Sequence, residues 1–600
     1  MSVVKQIYKL RRDFILIGLT GRTGSGCTSV AKILSTENFS DLKTEFREIN
    51  TEPWDNDSRK NRIVHNYMQK HWHPFTVIQA SDVIFYYALQ LDFDDFVKEF
   101  SAFSPKQDNT EDEDVKTRLL SLSDDYAALR DKIRKCETFI AKESKEPEDM
   151  TVEGCFNIIS KDIPAFRIRL TEALRPTKKR IYSSVLQRWG NNIRNYNSVR
   201  NPNNNEISEY APACLARKIN QFVKLIRKKN KDEDIFTHIV IDALRNPYEV
   251  LYFRERYAAF YLMSINTDEK TRRDKLIEKG FDLDSMIELD KKESDKKDFN
   301  DSYQEIDINK CIELSDIFVT HDGTELQENR NLNNQIITYL ALIRHPGLIP
   351  PSPMERVMQI AYTAKLNSGC LSRQVGAVVT NDSFSVQSVG WNTVAQGQTP
   401  CSLRCLNDLC NSEDKSAYSE FERTNQKFKD ATKDLQVEYK PTIEKELLLG
   451  LPLAYCFKDI HTTIADKQKY NQVHTRALHA EENAFLQLAK YGTQGIQGGK
   501  LFTTSSCCEL CGKKAYQLGI REIYYIDSYP GITQKHIIEC GSNQPSMILF
   551  HGAIGRAYSN LYNPFIPLKD ELEALSGISV KDVLDPEKNK KETPEDEDKQ

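Results

Sequence analysis

The sequence predicts two α/β domains in series: a three-layer domain over residues 1–345, then a smaller α/β/α domain over residues 346–562, with a charged tail over 563–600. Three observations lead there. Apolar strand-like runs alternate with helix-like segments through the first half, which implies a parallel sheet covered on both faces. A second alternation runs from Met354 to Pro564. Between them, His345-Pro346-Gly347-Leu348-Ile349-Pro350-Pro351-Ser352-Pro353 interrupts both patterns, and proline can continue neither a helix nor a strand ladder.

In the first half, Phe14-Ile15-Leu16-Ile17-Gly18-Leu19 reads as a buried strand. It leads through Gly21-Arg22-Thr23-Gly24-Ser25-Gly26-Cys27-Thr28 into a helix carrying Val30, Ala31, Ile33 and Leu34. Strand, glycine loop and helix are the context of a phosphate-binding loop, so all eight residues from Gly21 to Thr28 are candidate nucleotide contacts through successive amides. Thr28 is the expected Mg2+ hydroxyl. Cys27 stands where such loops carry lysine, which leaves amide binding intact but removes a cation that phosphoryl transfer uses. A glycine turn that binds nothing is the competing reading. His238-Ile239-Val240-Ile241-Asp242 is a strand ending in an acid, and Tyr261–Ile265 and Ser315–Thr320 add two more. A mostly helical insertion is expected between Asp82 and Asp234, and an acidic run at Asn109–Asp114 reads as a loop. Residues 1 to about 345 resemble a P-loop nucleoside-phosphate kinase, in which Arg272 and Arg273 would stand for lid arginines.

The second half carries His479-Ala480-Glu481, followed by Cys508-Glu509-Leu510-Cys511. His479, Cys508 and Cys511 are three Zn2+ ligands by type and spacing, and three protein ligands leave a tetrahedral zinc one position for water. Bound zinc draws that water's pKa toward about 7, and Glu481, which is not a ligand, is placed to carry protons. Apolar residues at Ala480, Ala484, Phe485, Leu488 and Ala489 put His479 at a helix start, and the two cysteines open a second helix. A structural zinc site or a redox pair would explain the cysteines but not the preceding His-x-Glu.

Ser368-Gly369-Cys370-Leu371-Ser372-Arg373-Gln374-Val375-Gly376-Ala377-Val378, then Gly390-Trp391-Asn392, then His479-Ala480-Glu481-Glu482-Asn483-Ala484 is similar to deoxycytidylate deaminases in that order. The resemblance spans Met354 to Pro564, with Asn411–Val473 as an insertion, and implies a cytidine-deaminase-like α/β/α fold whose last two strands are parallel. One departure is Cys507, where the family has proline. A kinase-like domain ahead of such a deaminase resembles the bacterial two-domain deoxycytidine nucleotide deaminases of anti-phage defence. That implies hydrolytic conversion of dCTP, dCMP or both to dUTP or dUMP plus ammonia, a nucleoside triphosphate effector at the P-loop, and a homo-oligomer, dimer or hexamer. By the same resemblance Glu481 is catalytic, Asn392 holds the deoxyribose and Ala480 lines the substrate site. Arg373 is either a phosphate contact or a salt bridge across the subunit.

Composition bounds the alternatives. A 39% hydrophobic and 28% charged chain is globular, and no apolar run approaches the roughly 20 residues of a membrane span, so a cytoplasmic protein is expected. A net charge of -5 offers no broad attraction to phosphate backbones, which argues against a base-editing deaminase on nucleic acid. A nucleotide sensor with an inert deaminase domain is the third class. Fourteen cysteines in a reduced compartment point to metal rather than disulfides. Cys401, Cys405 and Cys410, with His461, His474 or Cys456, have the residue types of a second structural site, although their spacing matches no single pattern. The last 15 or so residues are expected to be disordered.

Overall fold

The computed structural model describes residues 3–44, 55–101, 116–142, 150–174, 179–201, 211–278, 305–321, 328–443, 454–464, 476–492, 495–527 and 533–579, with a few further positions between 281 and 289 and at 583–584. The acidic run at Asn109–Asp114, His474 and the end of the tail lie outside the described residues. Two compact units form: Met1–Pro350 together with Arg556–Gln600, and Pro351–Gly555. Among the described residues no helix is long and apolar enough to cross a membrane.

In the first unit, β1 (Phe14–Thr20), β2 (Thr76–Gln79), β3 (Thr237–Asp242), β4 (Phe260–Asn266) and β5 (Ile317–Thr320) lie in the order β2-β3-β1-β4-β5, every pair parallel. β1 is central, with Phe14 opposite Thr237 and Leu16 opposite Phe260. A strand covered on both faces must be apolar throughout, which is why Ile15, Leu16, Ile17 and Leu19 are all buried. β2, a four-residue strand, was not anticipated, because Thr76-Val77-Ile78-Gln79 is too short to show periodicity. The insertion is helical where described, from Ala80–Ala88 to Cys214–Asp232. Its core is aromatic: Trp189 packs its ring 5.7 Å from Phe85, 5.8 Å from Phe96 and 5.4 Å from Phe100.

The expected boundaries at 345/346 and 562/563 shift to 350/351 and 555/556, because the segment after Gly555 returns to the first unit. Helix Leu568–Ser576 presents Glu571, whose carboxylate accepts from the Tyr8 hydroxyl at 2.9 Å and pairs with His345 Nε2 at 2.8 Å. Gly347 N donates to Leu561 O at 2.8 Å. A tail that buries a carboxylate on two partners is an element of that unit, and charge composition alone could not reveal the partners.

The second unit is built on the order β12-β11-β10-β6-β7, from β6 (Gly376–Thr380), β7 (Val386–Trp391), β10 (Lys500–Ser505), β11 (Glu522–Asp527) and β12 (Ser546–Leu549). β11 is parallel to β10 and to β12, so the last two strands are parallel as expected, while β6 is antiparallel to β10 and to β7. A short antiparallel pair, β8 (Thr393–Val394) with β9 (Ala477–Leu478), leads the chain into helix Ala480–Tyr491. The insertion shares a small core with the segment before it, in which Leu406, Leu409, Tyr418, Phe428, Phe457 and Ile460 cluster, and the buried Arg404 lies over the Tyr418 and Phe457 rings and pairs with Glu422.

Candidate functional site

Two helix starts, converging beside the sheet of the second unit, bring the candidate metal ligands together. His479 is the N-cap of helix Ala480–Tyr491 and its ring makes no capping bond, so the imidazole remains available. Cys508 is the N-cap of helix Glu509–Gln517, with Cys511 buried in the first turn. His479 Nδ1 lies 3.3 Å from Cys508 Sγ and 3.5 Å from Cys511 Sγ, and the three donor atoms all fall within 4.8 Å of one another. Tetrahedral zinc, with bonds near 2.1 Å to nitrogen and 2.3 Å to sulfur, separates neighbouring donors by about 3.6 Å, so this set fits it.

The electrostatics agree with a metal site. The hydrogen bond from Cys511 holds the Cys508 thiol down to about 3, with His479 adding to the effect, while that shared hydrogen bond and burial raise Cys511. Hydrogen bonding to Cys508 raises His479. Metal binding releases the protons that such donors hold and takes the thiolates as ligands. Among the described residues no other group of three or more potential ligands gathers in this way. His461 instead stacks 5.1 Å from Phe421 and 4.8 Å from Phe428, inside the small core of the insertion.

Glu481, in the first turn of the same helix, is 4% exposed, and burial raises its carboxyl above the ordinary range. Its Oε1 lies 3.1 Å from the hydroxyl of Thr503 on β10. Ala480 is fully buried at the helix start, next to the ligand and the carboxylate. Gly376 and Gly390 make the approach of strand to helix feasible: a Cβ on Gly376 would meet Ala361 O at 2.0 Å, and one on Gly390 would meet Ala480 O at 2.3 Å.

Asn392 and Arg373 lie in the same unit but carry structural bonds. Asn392 Oδ1 accepts from Val375 N and its Nδ2 donates to Arg373 O, both at 2.7 Å, clamping the turn into β6. Arg373 pairs with Asp527 at the end of β11. The ion pair is contained within one chain. Sequence reasoning missed Thr503 and Asp527. Both strands carry other polar residues, so nothing local in the sequence marked these two.

At the glycine loop of the first unit, Gly24 and Gly26 have φ of 91° and 111°, in the region glycine favours. Arg22 O accepts from Ser25 N at 2.9 Å, and Gly26 caps helix Cys27–Leu34. Thr28 Oγ1 donates to Asp242 Oδ2 at 3.0 Å, tying the helix start to the acid that ends β3. Burial, reinforced by the Asp242 charge, pushes the Cys27 thiol up to about 12, so it offers no charge to an anion. Arg245 Nη1 donates to Thr23 Oγ1 at 3.1 Å and Arg272 Nη1 to Thr23 O at 3.2 Å. Arg272 is only 1% exposed, a buried support of the loop rather than a swinging lid group, and Arg273 lies 3.7 Å from Glu269.

Residues 351–527 match the family model described as the cytidine and deoxycytidylate deaminase zinc-binding region. The ComE operon protein 2 of Bacillus subtilis (strain 168) is 39% identical over 54 residues, 9% of this chain and 28% of that protein, so the chain spans less than a third of that relative's length. Two crystal structures of a dCMP deaminase from the cyanophage S-TIM5, one apo and one in complex with dCMP and dUMP, are each 20% identical. They cover 34% of this chain and 100% and 99% of their own, with TM-scores of 0.19 and 0.20. With its His-x-Glu helix and Cys-x-x-Cys helix start, the C-terminal region of this chain carries a cytidine and deoxycytidylate deaminase zinc-binding domain.

Proposed function

We propose that the second unit hydrolytically deaminates deoxycytidine nucleotides, dCTP, dCMP or both, to the deoxyuridine nucleotides and ammonia. The observation that carries this is a buried carboxylate, Glu481, one turn from a three-donor cluster that fits a zinc ion with one position to spare. When bound by His479, Cys508 and Cys511, zinc supplies the Lewis acidity that makes water nucleophilic at neutral pH. Glu481 takes a proton from that water and delivers it to ring N3, then carries the second to the departing amine. The C4–N bond breaks, a C4–O bond forms, and one water is consumed for each ammonia released. Exclusion of solvent around Glu481 keeps its proton on this path.

The first unit, on this reading, binds a nucleoside triphosphate with Mg2+ at Gly21–Thr28 and controls the deaminase without transferring phosphate. The loop amides and the Thr28–Asp242 pair support binding, while neutral Cys27 supports the absence of transfer. Such control is a reciprocal coupling, typically about 1 to 3 kcal/mol, that a homo-oligomer would help transmit. Depletion of the dCTP pool during phage replication is the biological role the reading implies.

Ammonia release from deoxycytidine, dCMP, dCDP, dCTP and a single-stranded cytosine-containing oligonucleotide, with and without ATP, tests the reading. Turnover of dCMP or dCTP alone supports it. Turnover confined to the oligonucleotide, or none with zinc-loaded protein, overturns it.

A further inference from the structure

Thr503 is a polar side chain in the middle of β10. It is fully buried, opposite Ala377 on β6 and Tyr525 on β11, near a cluster that includes Ala480, Ala484, Leu501, Cys507 and Cys511. Valine has the same shape and suits a buried strand at least as well. The hydroxyl has three polar neighbours: Glu481 Oε1 at 3.1 Å, Ser505 O at 2.7 Å and Ser505 N, which donates to it at 3.5 Å. A hydroxyl carries one proton and two acceptor lone pairs, whereas a backbone carbonyl only accepts.

We infer that Thr503 is a positioning residue for deamination, its hydroxyl holding the Glu481 carboxyl in one orientation. Thr503 Oγ1 donates to Oε1 across 3.1 Å from a strand, a rigid element that fixes where the carboxyl can point. A fixed partner suits a group that must not swing away from the substrate ring. Geometric precision of this kind is worth large factors in rate.

This role rests on the deaminase reading, and the test separates the two. Full-length, zinc-loaded parent, Thr503→Val and Thr503→Ser are assayed for kcat and KM with dCMP and dCTP, alongside zinc content and thermal midpoint. The valine variant is expected to keep its zinc, thermal midpoint and KM while kcat falls about tenfold or more, the effect of losing a hydrogen bond to a charged group. Serine keeps the hydroxyl and should restore most of kcat. A valine variant with parental kcat, or a serine variant as impaired as valine, overturns the role while leaving the deaminase reading intact. Should valine prevent folding, Thr503→Ala against Thr503→Ser gives the same comparison. A parent protein that releases no ammonia overturns both the reading and the role.

Discussion

A Cβ placed on Gly390 would lie 2.3 Å from the carbonyl oxygen of Ala480 and 2.5 Å from Ala484 N. The last residues of β7 therefore touch the backbone of the helix whose cap is a metal ligand and whose first turn holds Glu481. Backbone cannot swing aside as a side chain can. Gly390→Ala should destabilise the second unit by about 1–3 kcal/mol, the usual range for overpacking, and weaken zinc retention together with turnover. Thermal denaturation and zinc content measure both effects, and an unchanged midpoint would refute so close an approach.

Glu481→Gln keeps the size and burial of the side chain and removes its proton chemistry. Turnover should fall by roughly 10²–10⁴-fold, the usual contribution of general acid–base catalysis, with zinc still bound. A variant with near-parental ammonia release would assign the proton transfers to another group.

The glycine loop allows a sharper separation. At Gly26, where φ is 111°, an added Cβ would meet His321 Nδ1 at 2.3 Å, so Gly26→Asp must distort the loop as well as add a negative charge to it. Binding of Mg2+ and ATP, followed by calorimetry, should be lost, along with any effect of ATP on deamination. Transfer of labelled phosphate from ATP to a nucleoside monophosphate should be absent in the parent as well, since Cys27 is neutral. Steady transfer by the parent would contradict a purely regulatory loop.

His238 should make the first unit sensitive to acid. Burial, with the nearby Arg344 charge, depresses the imidazole to about 3. Its Nε2 lies 2.8 Å from Arg12 O and its Nδ1 3.2 Å from Arg344 Nη2, which selects the neutral ring that donates at Nε2 and accepts at Nδ1. The unfolded chain binds this proton near pH 6.5 and the folded one only near pH 3, so the stabilisation is complete above pH 6.5 and is lost progressively as pH falls toward 3. Burial lowers His71 and His73 in the same direction. The thermal midpoint of the first unit should fall between pH 7 and 5, and His238→Asn should flatten that slope. A midpoint independent of pH across this window would count against a neutral buried His238.

The sequence by itself determined the donor atoms and the local elements that carry them. A His-x-Glu at one helix start, a Cys-x-x-Cys at another and a strand running through glycines into a helix are signals within a few residues, where backbone geometry follows from residue type. Apolar runs long enough to be buried on both faces, such as Phe14–Leu19, were readable for the same reason.

Only the tertiary structure decided which polar groups pair with which. Asn392 bonds Val375 and Arg373, Arg373 pairs with Asp527, and Glu571 draws the tail back to Tyr8 and His345. The pairing of Thr503 with Glu481 and the place of β2 beside β3 belong to the same class. A hydrogen bond between residues far apart in the chain depends on where the whole sheet carries them. Residue type states only what a side chain can bond to; the fold supplies the partner, and with it the function.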